Sequence, residues 1–149
     1  MSVPLAFAAM SGDEREQINV PQDALDAMHR HSFDCFPEEM CGLLVGLPGS
    51  NSVVRFVPTT NVAHSARVYT IDPKELMRAD MAAEDEGLAI IGCVHSHTHT
   101  PAYPSPTDVA AAPDPAWHYL IVTLETGEAA ARSYRIVGET ITETAISAL

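Results

Sequence analysis

The chain has 149 residues, 46% of them apolar, and a formal net charge of −12 at pH 7. This length suits one domain with a substantial core, and the apolar fraction argues against a disordered protein. The acidic charge argues against nucleic-acid binding, which needs basic patches, and no apolar run is long enough to span a membrane. We expect one domain over residues 17–149. Residues 1–16 are expected to form a flexible tail, because their apolar stretch lacks the basic residues that open a signal peptide.

The first half of the chain predicts short strands separated by turns and two helices. Pro48-Gly-Ser-Asn51 has the composition of a hairpin turn. Asp72-Pro-Lys-Glu75 has an N-cap acid, proline at the first helical position and glutamate at the third. The predicted elements are a strand at 18–20, a helix beginning at Pro21, strands at 42–46, 52–57 and 67–71, and a helix from 72 to about 86.

The second half predicts mainly strands. A continuous apolar run at 88–94 indicates a buried strand, and Glu125-Thr-Gly-Glu128 indicates a turn between two further strands. The elements are a strand at 88–94, a short helix at 105–112, and strands at 117–124, 129–137 and 140–146. Because strands outnumber helices and often follow one another directly, we expect an α/β (α+β) fold. Its sheet should be mixed, mostly antiparallel and flanked by helices.

Two histidines and a carboxylate follow the buried strand. His95 and His97 are two residues apart, so strand alternation directs both imidazoles to one face. Ser105-Pro-Thr-Asp108 predicts a helix start with Ser105 at the N-cap. A strand end and a helix start can bring His95, His97 and Asp108 to one point. Three such ligands with an open fourth position are typical of catalytic zinc, although non-haem iron uses the same ligand set.

Each part of this pattern also has a purely structural interpretation. Two histidines at a strand end occur by chance, and Ser105 with Asp108 can form a capping box without any metal. An additional acid, Glu39, lies just before the apolar strand 42–46. A hydrolytic metal site needs a carboxylate that is not a ligand, to take a proton from water. Glu39 is the candidate for that general base.

Taken together, these residues resemble a known signature. Glu39-x-x-Gly42 followed by His95-x-His97, seven residues, Ser105, two residues and Asp108 resembles the JAMM (MPN-plus, Mov34/PAD-1) zinc metallopeptidase signature in residue type and spacing. The resemblance covers about residues 18–137. It implies a cytidine-deaminase-like JAMM/MPN fold and an enzyme with one catalytic zinc ion per chain.

The resemblance also implies a role for each matching residue. His95, His97 and Asp108 would hold zinc, and Glu39 would be the general acid and base. Ser105 would stabilise the oxyanion of the tetrahedral intermediate. No other cofactor is implied.

Within that family, the short chain resembles the bacterial branch that trims ubiquitin-like sulfur-carrier proteins. The segment His95-Ser-His-Thr98, followed by Ala102-Tyr-Pro-Ser-x-Thr-Asp108, carries this likeness. Thr98 stands where many members of the wider family have proline, and threonine is typical of the sulfur-carrier branch. The implied reaction is hydrolysis of the bond after the carrier's C-terminal Gly-Gly, releasing cysteine in cysteine biosynthesis.

Three other functions share parts of this sequence pattern. The same chemistry could process a carrier precursor or act like a desampylase or deubiquitinase. A non-catalytic MPN binding module would have lost the ligands, which this chain retains. A zinc deaminase is excluded because the P-C-x-x-C partner of its histidine motif is missing.

The remaining histidines and the cysteines leave further expectations. His99 is the alternative metal ligand, and His64 is a candidate substrate contact in a polar loop that could equally be solvated. His29 and His31 are expected on the solvent-facing side of the first helix. Three cysteines without C-x-x-C spacing favour a reducing cytoplasm. The expected partner is a carrier protein rather than nucleic acid or membrane, and a homodimer is left open.

Overall fold

The computed structural model describes residues 16–149. The expected tail therefore lies outside the described residues, apart from Glu16, whose Oε2 is 2.8 Å from Nη2 of Arg135. The described elements are β1 (Gln17–Val20), α1 (Gln22–Cys35), β2 (Cys41–Gly46), β3 (Val53–Thr59), α2 (Pro73–Asp85), β4 (Ala89–His97), α3 (Pro106–Ala111), β5 (His118–Thr123), β6 (Ala130–Val137) and β7 (Thr140–Ala148).

The strands form one seven-stranded sheet in the order β1-β7-β6-β5-β4-β2-β3. The pairs β1/β7 and β4/β5 are parallel, and the other four pairs are antiparallel. The sheet is curved, since its two edge strands approach each other where Asn19 forms a parallel bridge with Ser52. This confirms the predicted α/β class with a mixed, mostly antiparallel sheet.

Apolar side chains are buried on both faces of the central strands. Leu44 and Val94 belong to the cluster that packs against α1, whereas Leu43 and Cys93 belong to the cluster that packs against α2. A strand covered on both faces carries a continuous apolar run instead of alternating residues. Consequently β2 and the first part of β4 form a rigid base for the polar residues that lie at their ends. None of the described helices is long and apolar enough to cross a membrane.

The predicted strand at 67–71 is wrong. Its residues have no strand structure, and only Ile71 forms a single bridge, with Asn61. The side chain of Asn61 takes the place of a neighbouring strand: its Oδ1 accepts hydrogen bonds from the N–H groups of Ala63 and Thr70, both at 3.0 Å. Its Nδ2 donates to the carbonyl oxygen of Val68 at 3.1 Å. Asparagine satisfies backbone groups in this way at turns.

We expect Gly42→Ala to destabilise the domain, because an added methyl group has no room between β2 and β3. A Cβ at residue 42 would overlap the ring of Phe56 and lie 2.8 Å from the carbonyl oxygen of Val57. Overpacking of this kind costs about 1–3 kcal/mol. Urea unfolding should therefore show a lower midpoint with an unchanged slope. An unchanged midpoint would contradict the close approach of Phe56 to β2.

Candidate active site

The fold brings the predicted site residues together at one edge of two adjacent strands. Strands β2 and β4 are antiparallel, with Cys41 opposite His95, so the start of β2 lies beside the end of β4. Glu39 lies two residues before the first residue of β2 and therefore adjoins His95 and His97 at the end of β4. Helix α3 begins at the same place and contributes Asp108. All four side chains belong to buried residues, between 3% and 7% exposed.

The three predicted ligand atoms form a nearly equilateral triangle. Nε2 of His95, Nε2 of His97 and Oδ2 of Asp108 are each 3.1 Å from the other two. Among the described residues, these atoms form the group of histidine, cysteine and carboxylate donors that could hold a metal ion. Ligand atoms of a tetrahedral zinc ion with bonds of about 2.0–2.1 Å lie about 3.3 Å apart. The triangle fits such an ion with an expansion of a few tenths of an ångström.

Neighbouring groups orient the two imidazoles. Nδ1 of His97 lies 2.7 Å from the carbonyl oxygen of Pro101 and donates its proton there, so Nε2 is the ring nitrogen that faces Asp108, and it can bind a metal ion when His97 is neutral. The ring of Tyr69 stacks on His95, with centroids 4.4 Å apart and an angle of 20° between the planes. Both rings are thus fixed with their Nε2 atoms directed at Asp108.

Ser105 and Asp108 form the predicted capping box, and the box also orients the candidate ligand. Oγ of Ser105 accepts a hydrogen bond from the N–H of Asp108 at 3.1 Å, and the N–H of Ser105 donates to Oδ2 of Asp108 at 2.9 Å. The oxygen held by the cap is the same one that lies in the triangle. Ser105 and Asp108 can therefore cap α3 while the same oxygen of Asp108 also serves as a candidate metal ligand.

The charges in the triangle suit a divalent cation. Burial alone would raise the pKa of Asp108, but hydrogen bonds from His95 and His97 hold it well below its usual range, so the carboxylate stays ionised. Burial lowers the pKa of His95 and keeps that ring neutral. Burial also acts to lower the pKa of His97, but its hydrogen bonds to Asp108 and Pro101 outweigh burial and raise it. The group combines one anionic oxygen with imidazole nitrogens, the donors that zinc accepts.

Glu39 stands beside this triangle without being part of it. Its Oε1 is buried and has no hydrogen-bond partner among residues 16–149, which is costly unless the atom serves a bound species. Burial raises the pKa of Glu39 to about 7, the charge of His97 opposes that shift and the charge of Asp108 adds to it. Its carboxyl group is therefore available for proton transfer near neutral pH.

The backbone of Glu39 is fixed on both sides. Its N–H donates to the carbonyl oxygen of Ser65 at 2.8 Å, and its own carbonyl oxygen accepts from Nδ2 of Asn61 at 3.0 Å. The next N–H, that of Met40, donates to Oγ of Ser96 at 2.7 Å. Ser96 lies between the two histidines but on the opposite face of β4, so one strand both supplies two of the three candidate ligands and positions the neighbouring acid.

A cleft of about 610 Å³ opens beside these residues. Its lining comes from the site itself, from the loop before α2 and from the segment after β4: Glu39, Ala66, Arg67, His97, Thr98, His99, Thr100 and Ser105. The predicted general base and the predicted oxyanion donor therefore face the same space.

The other histidines lie elsewhere. His99 lines the cleft but is outside the triangle, and its ring centroid lies 5.8 Å from that of Phe36. His64 is not among the residues of the cleft lining, and its Nδ1 is 3.4 Å from Oε1 of Glu38. His31 was expected to face solvent, which is wrong: its Nε2 lies 3.2 Å from the carbonyl oxygen of Cys41, where it ties α1 to the sheet.

The sequence pointed to His64 in the loop before α2 as a substrate contact, but sequence reasoning missed the residues of this loop that reach the site. Asn61 fixes Glu39, Tyr69 stacks on His95, and Arg67 lines the cleft. The residues lie in a stretch that resembles an ordinary polar loop followed by a strand, and no spacing rule links them to the histidines. Only the isolated asparagine in Thr59-Thr-Asn61 gave a hint of turn chemistry.

Comparison with known proteins agrees with this architecture. Residues 21–137 match the family model described as prokaryotic homologs of the JAB domain. The fold resembles that of a JAB1/MPN domain protein from Archaeoglobus fulgidus, with a TM-score of 0.58, 17% identity and coverage of 91% of this chain and all of that one. A protein from Desulfitobacterium hafniense has a TM-score of 0.80 at 31% identity, covering 89% of this chain and 92% of its own. The chain belongs to the family of prokaryotic JAB-domain proteins.

Within that family the chain is similar to named peptidases. It is 40% identical over 122 residues to the CysO-cysteine peptidase of Mycobacterium tuberculosis, covering 81% of this chain and 84% of that protein. It is 34% identical to the desampylase of Haloferax volcanii, covering 70% and 79% of the two chains. A probable TtuB-protein conjugate cleaving protease of Thermus thermophilus is also 34% identical, covering 72% and 75%. The resemblance to this branch of the JAMM family is thereby confirmed.

Proposed function

We propose that the protein is a JAMM-type zinc peptidase that hydrolyses the bond after the C-terminal Gly-Gly of a ubiquitin-like sulfur carrier and releases cysteine. The observation that carries the proposal is the 3.1 Å triangle of His95, His97 and Asp108 beside the unpartnered Oε1 of Glu39. The named relatives support a hydrolase that acts on conjugates of ubiquitin-like proteins. Cysteine as the leaving group comes from the relative at 40% identity.

The proposed chemistry assigns one role to each group. When bound by His95, His97 and Asp108, zinc would supply a Lewis acid that polarises the scissile carbonyl and makes water more acidic. Glu39 takes a proton from the attacking water and returns it to the leaving amine. The pKa of about 7 that burial gives Glu39 suits both transfers. Burial of all four residues excludes bulk water and strengthens these electrostatic effects.

Ser105 is proposed as the donor to the developing oxyanion. Its Oγ already accepts the N–H of Asp108, so the hydroxyl proton remains available to donate into the cleft that Ser105 lines. A donor held in place before the reaction needs no reorganisation when negative charge develops on the carbonyl oxygen.

Replacing Ser105 separates its two roles. Ser105→Ala should lower the free energy of unfolding by about 1 kcal/mol through loss of the cap. It should also reduce kcat roughly a hundredfold through loss of an oxyanion donor. Asparagine caps as well as serine, so Ser105→Asn should unfold like the wild type and still be slow on a Gly-Gly conjugate. Thermal melts, zinc content and kcat measure the three effects, and a normal rate for Ser105→Asn would leave Ser105 a purely structural role.

The cleft suits an extended, side-chain-free tail. Its lining combines Ala66 and Arg67 from the loop before α2, the three residues that follow the second histidine, and the site residues Glu39, His97 and Ser105. Two glycine residues fit in such a cleft, whereas residues with larger side chains would clash with its walls. The clash would restrict the enzyme to carriers that end in Gly-Gly. Three free cysteines agree with a reducing cytoplasm as the place of action.

Intact-mass spectrometry of candidate carriers tests the function. A carrier ending in Gly-Gly-Cys should lose the mass of one cysteine residue on incubation with the zinc-loaded enzyme, and chelated enzyme should leave it unchanged. A carrier precursor with a longer extension and a carrier joined to a lysine side chain test the two alternatives in parallel. If only the precursor is cleaved, the function is precursor processing and not cysteine release. A folded, zinc-loaded protein that binds carriers but leaves all three intact would favour a binding module.

A further inference from the structure

Arg67 is the cationic residue in the wall of the cleft. Among the eight lining residues it is the sole lysine or arginine, in a chain with only 8 such residues and 20 acidic ones. The other arginines with ion pairs bind carboxylates of the protein itself: Arg55 pairs with Glu86, Arg132 with Glu143 and Arg135 with Glu16. The guanidinium of Arg67 forms no ion pair or hydrogen bond with any residue in the described part of the chain. An acidic protein that leaves this cation unpaired in its cleft offers a binding group for an anion.

The backbone of Arg67 is tied to the predicted general base. Oγ of Ser65 accepts hydrogen bonds from the N–H of Arg67 at 3.0 Å and from that of Val68 at 3.3 Å. The carbonyl oxygen of Ser65 accepts the N–H of Glu39 at 2.8 Å. Asn61 joins the same loop to Glu39, because its Nδ2 donates to the carbonyl oxygens of both Glu39 and Val68. Arg67 is thus held at a fixed place relative to Glu39.

We propose that Arg67 determines specificity by binding the α-carboxylate of a single amino acid as leaving group. The inference rests on the proposed function and adds the residue that recognises the leaving group. In a conjugate that ends in one amino acid, a free carboxylate lies two bonds from the nitrogen that Glu39 protonates. Guanidinium pairs with carboxylate through two parallel hydrogen bonds. A leaving group that is a lysine side chain within a protein has no carboxylate at that distance, so the same arginine would not select it.

Two substrates that differ only in this charge test the proposal. One is a semisynthetic carrier ending in Gly-Gly-Cys with a free carboxylate, and the other has the C-terminal carboxamide. Wild-type enzyme should have a higher kcat/KM on the acid by about 10- to 100-fold, as for loss of a charged hydrogen-bond partner. Arg67→Gln should slow the acid by that factor and leave the carboxamide unchanged. Arg67→Lys keeps the positive charge but cannot form two parallel hydrogen bonds with the carboxylate. Its kcat/KM on the acid should therefore lie between those of the wild type and Arg67→Gln.

Arg78→Gln is the matched control, since Arg78 is an exposed arginine on α2 outside the cleft. It should behave like the wild type on both substrates. Equal rates of wild type on acid and carboxamide, or an equal slowing of both by Arg67→Gln, would overturn the role of Arg67. Equal slowing would instead point to contact with the body of the carrier.

A binding measurement keeps this inference separate from the proposed reaction. Glu39→Gln protein is used as the background, because it should bind the conjugate without hydrolysing it. Its affinity for the acid should exceed that for the carboxamide, and adding Arg67→Gln should abolish the difference. If wild type hydrolyses neither substrate, the proposed reaction is wrong. If the two affinities are also equal, the role of Arg67 is wrong as well.

Discussion

Glu39→Gln is expected to keep its zinc and to lose peptidase activity by about two to four orders of magnitude, the usual contribution of a general base. Glutamine preserves the shape of the side chain but cannot accept the proton of the attacking water. The carboxylate lies outside the 3.1 Å triangle, so metal binding does not depend on it. Zinc content by mass spectrometry and kcat on a Gly-Gly-Cys conjugate give the two readouts.

Glu38→Gln is the matched control for that variant. The neighbouring carboxylate is 43% exposed and lies 3.4 Å from Nδ1 of His64, away from the cleft lining. Because exposed pairs contribute little, this substitution should leave rate and stability almost unchanged. An essential Glu38 with a dispensable Glu39 would show that the assignment of the general base is wrong by one residue.

His97→Ala is expected to lose zinc and, with it, all measurable activity. The substitution removes one of the three proposed ligand atoms at the end of β4. The domain should still fold, since the apolar clusters on both faces of the sheet do not include the three proposed ligands. Circular dichroism should show native secondary structure, while metal analysis should show less than a tenth of the wild-type zinc, in line with the affinity lost when a metal site is disturbed.

His99→Ala provides the same change two residues further on. His99 lies beside Phe36 and outside the triangle, so this variant should retain zinc. Full zinc occupancy in His97→Ala would refute the ligand assignment. Zinc loss in His99→Ala would make His99 the metal ligand that sequence alone left as an alternative.

Most elements were predictable because their signals are local. The start of α2 at Asp72-Pro73 and the capping box of α3 follow directly from residue types at fixed spacing, and the structure contains both. The prediction of a strand at 67–71 failed because of Asn61. Its side chain forms hydrogen bonds with the backbone of Val68 and Thr70 that a neighbouring strand would otherwise form, and alternation of apolar residues does not reveal this. The parallel pairing of β1 with β7 joins the two ends of the described chain, and no local pattern indicates it.

In the candidate site, too, some residues could be predicted from local spacing and others are placed by contacts between distant segments. His95, His97 and Asp108 lie within fourteen residues of one another in a strand and the helix that follows, so their meeting could be predicted from spacing. Glu39 was assigned from the need for a general base and from the family resemblance, but its place beside the histidines depends on the antiparallel pairing of β2 with β4, which only the structure shows. Arg67 and Tyr69 lie in a loop whose conformation is fixed by hydrogen bonds of Asn61 and of the backbone of Glu39. Such tertiary contacts produce no periodic pattern in the sequence. The roles of the individual residues stay predictions that the variants above test.

Zinc titration of chelated protein tests the central claim most directly. Apo-protein prepared with a chelator should retain its fold and show no release of cysteine from a Gly-Gly-Cys carrier. Added zinc should restore the rate in proportion to the amount bound. The rate should reach its plateau at one zinc per chain, because His95, His97 and Asp108 form a single candidate group among residues 16–149. Full cysteine release by the apo-protein, or no release after one zinc per chain is bound, would contradict the account.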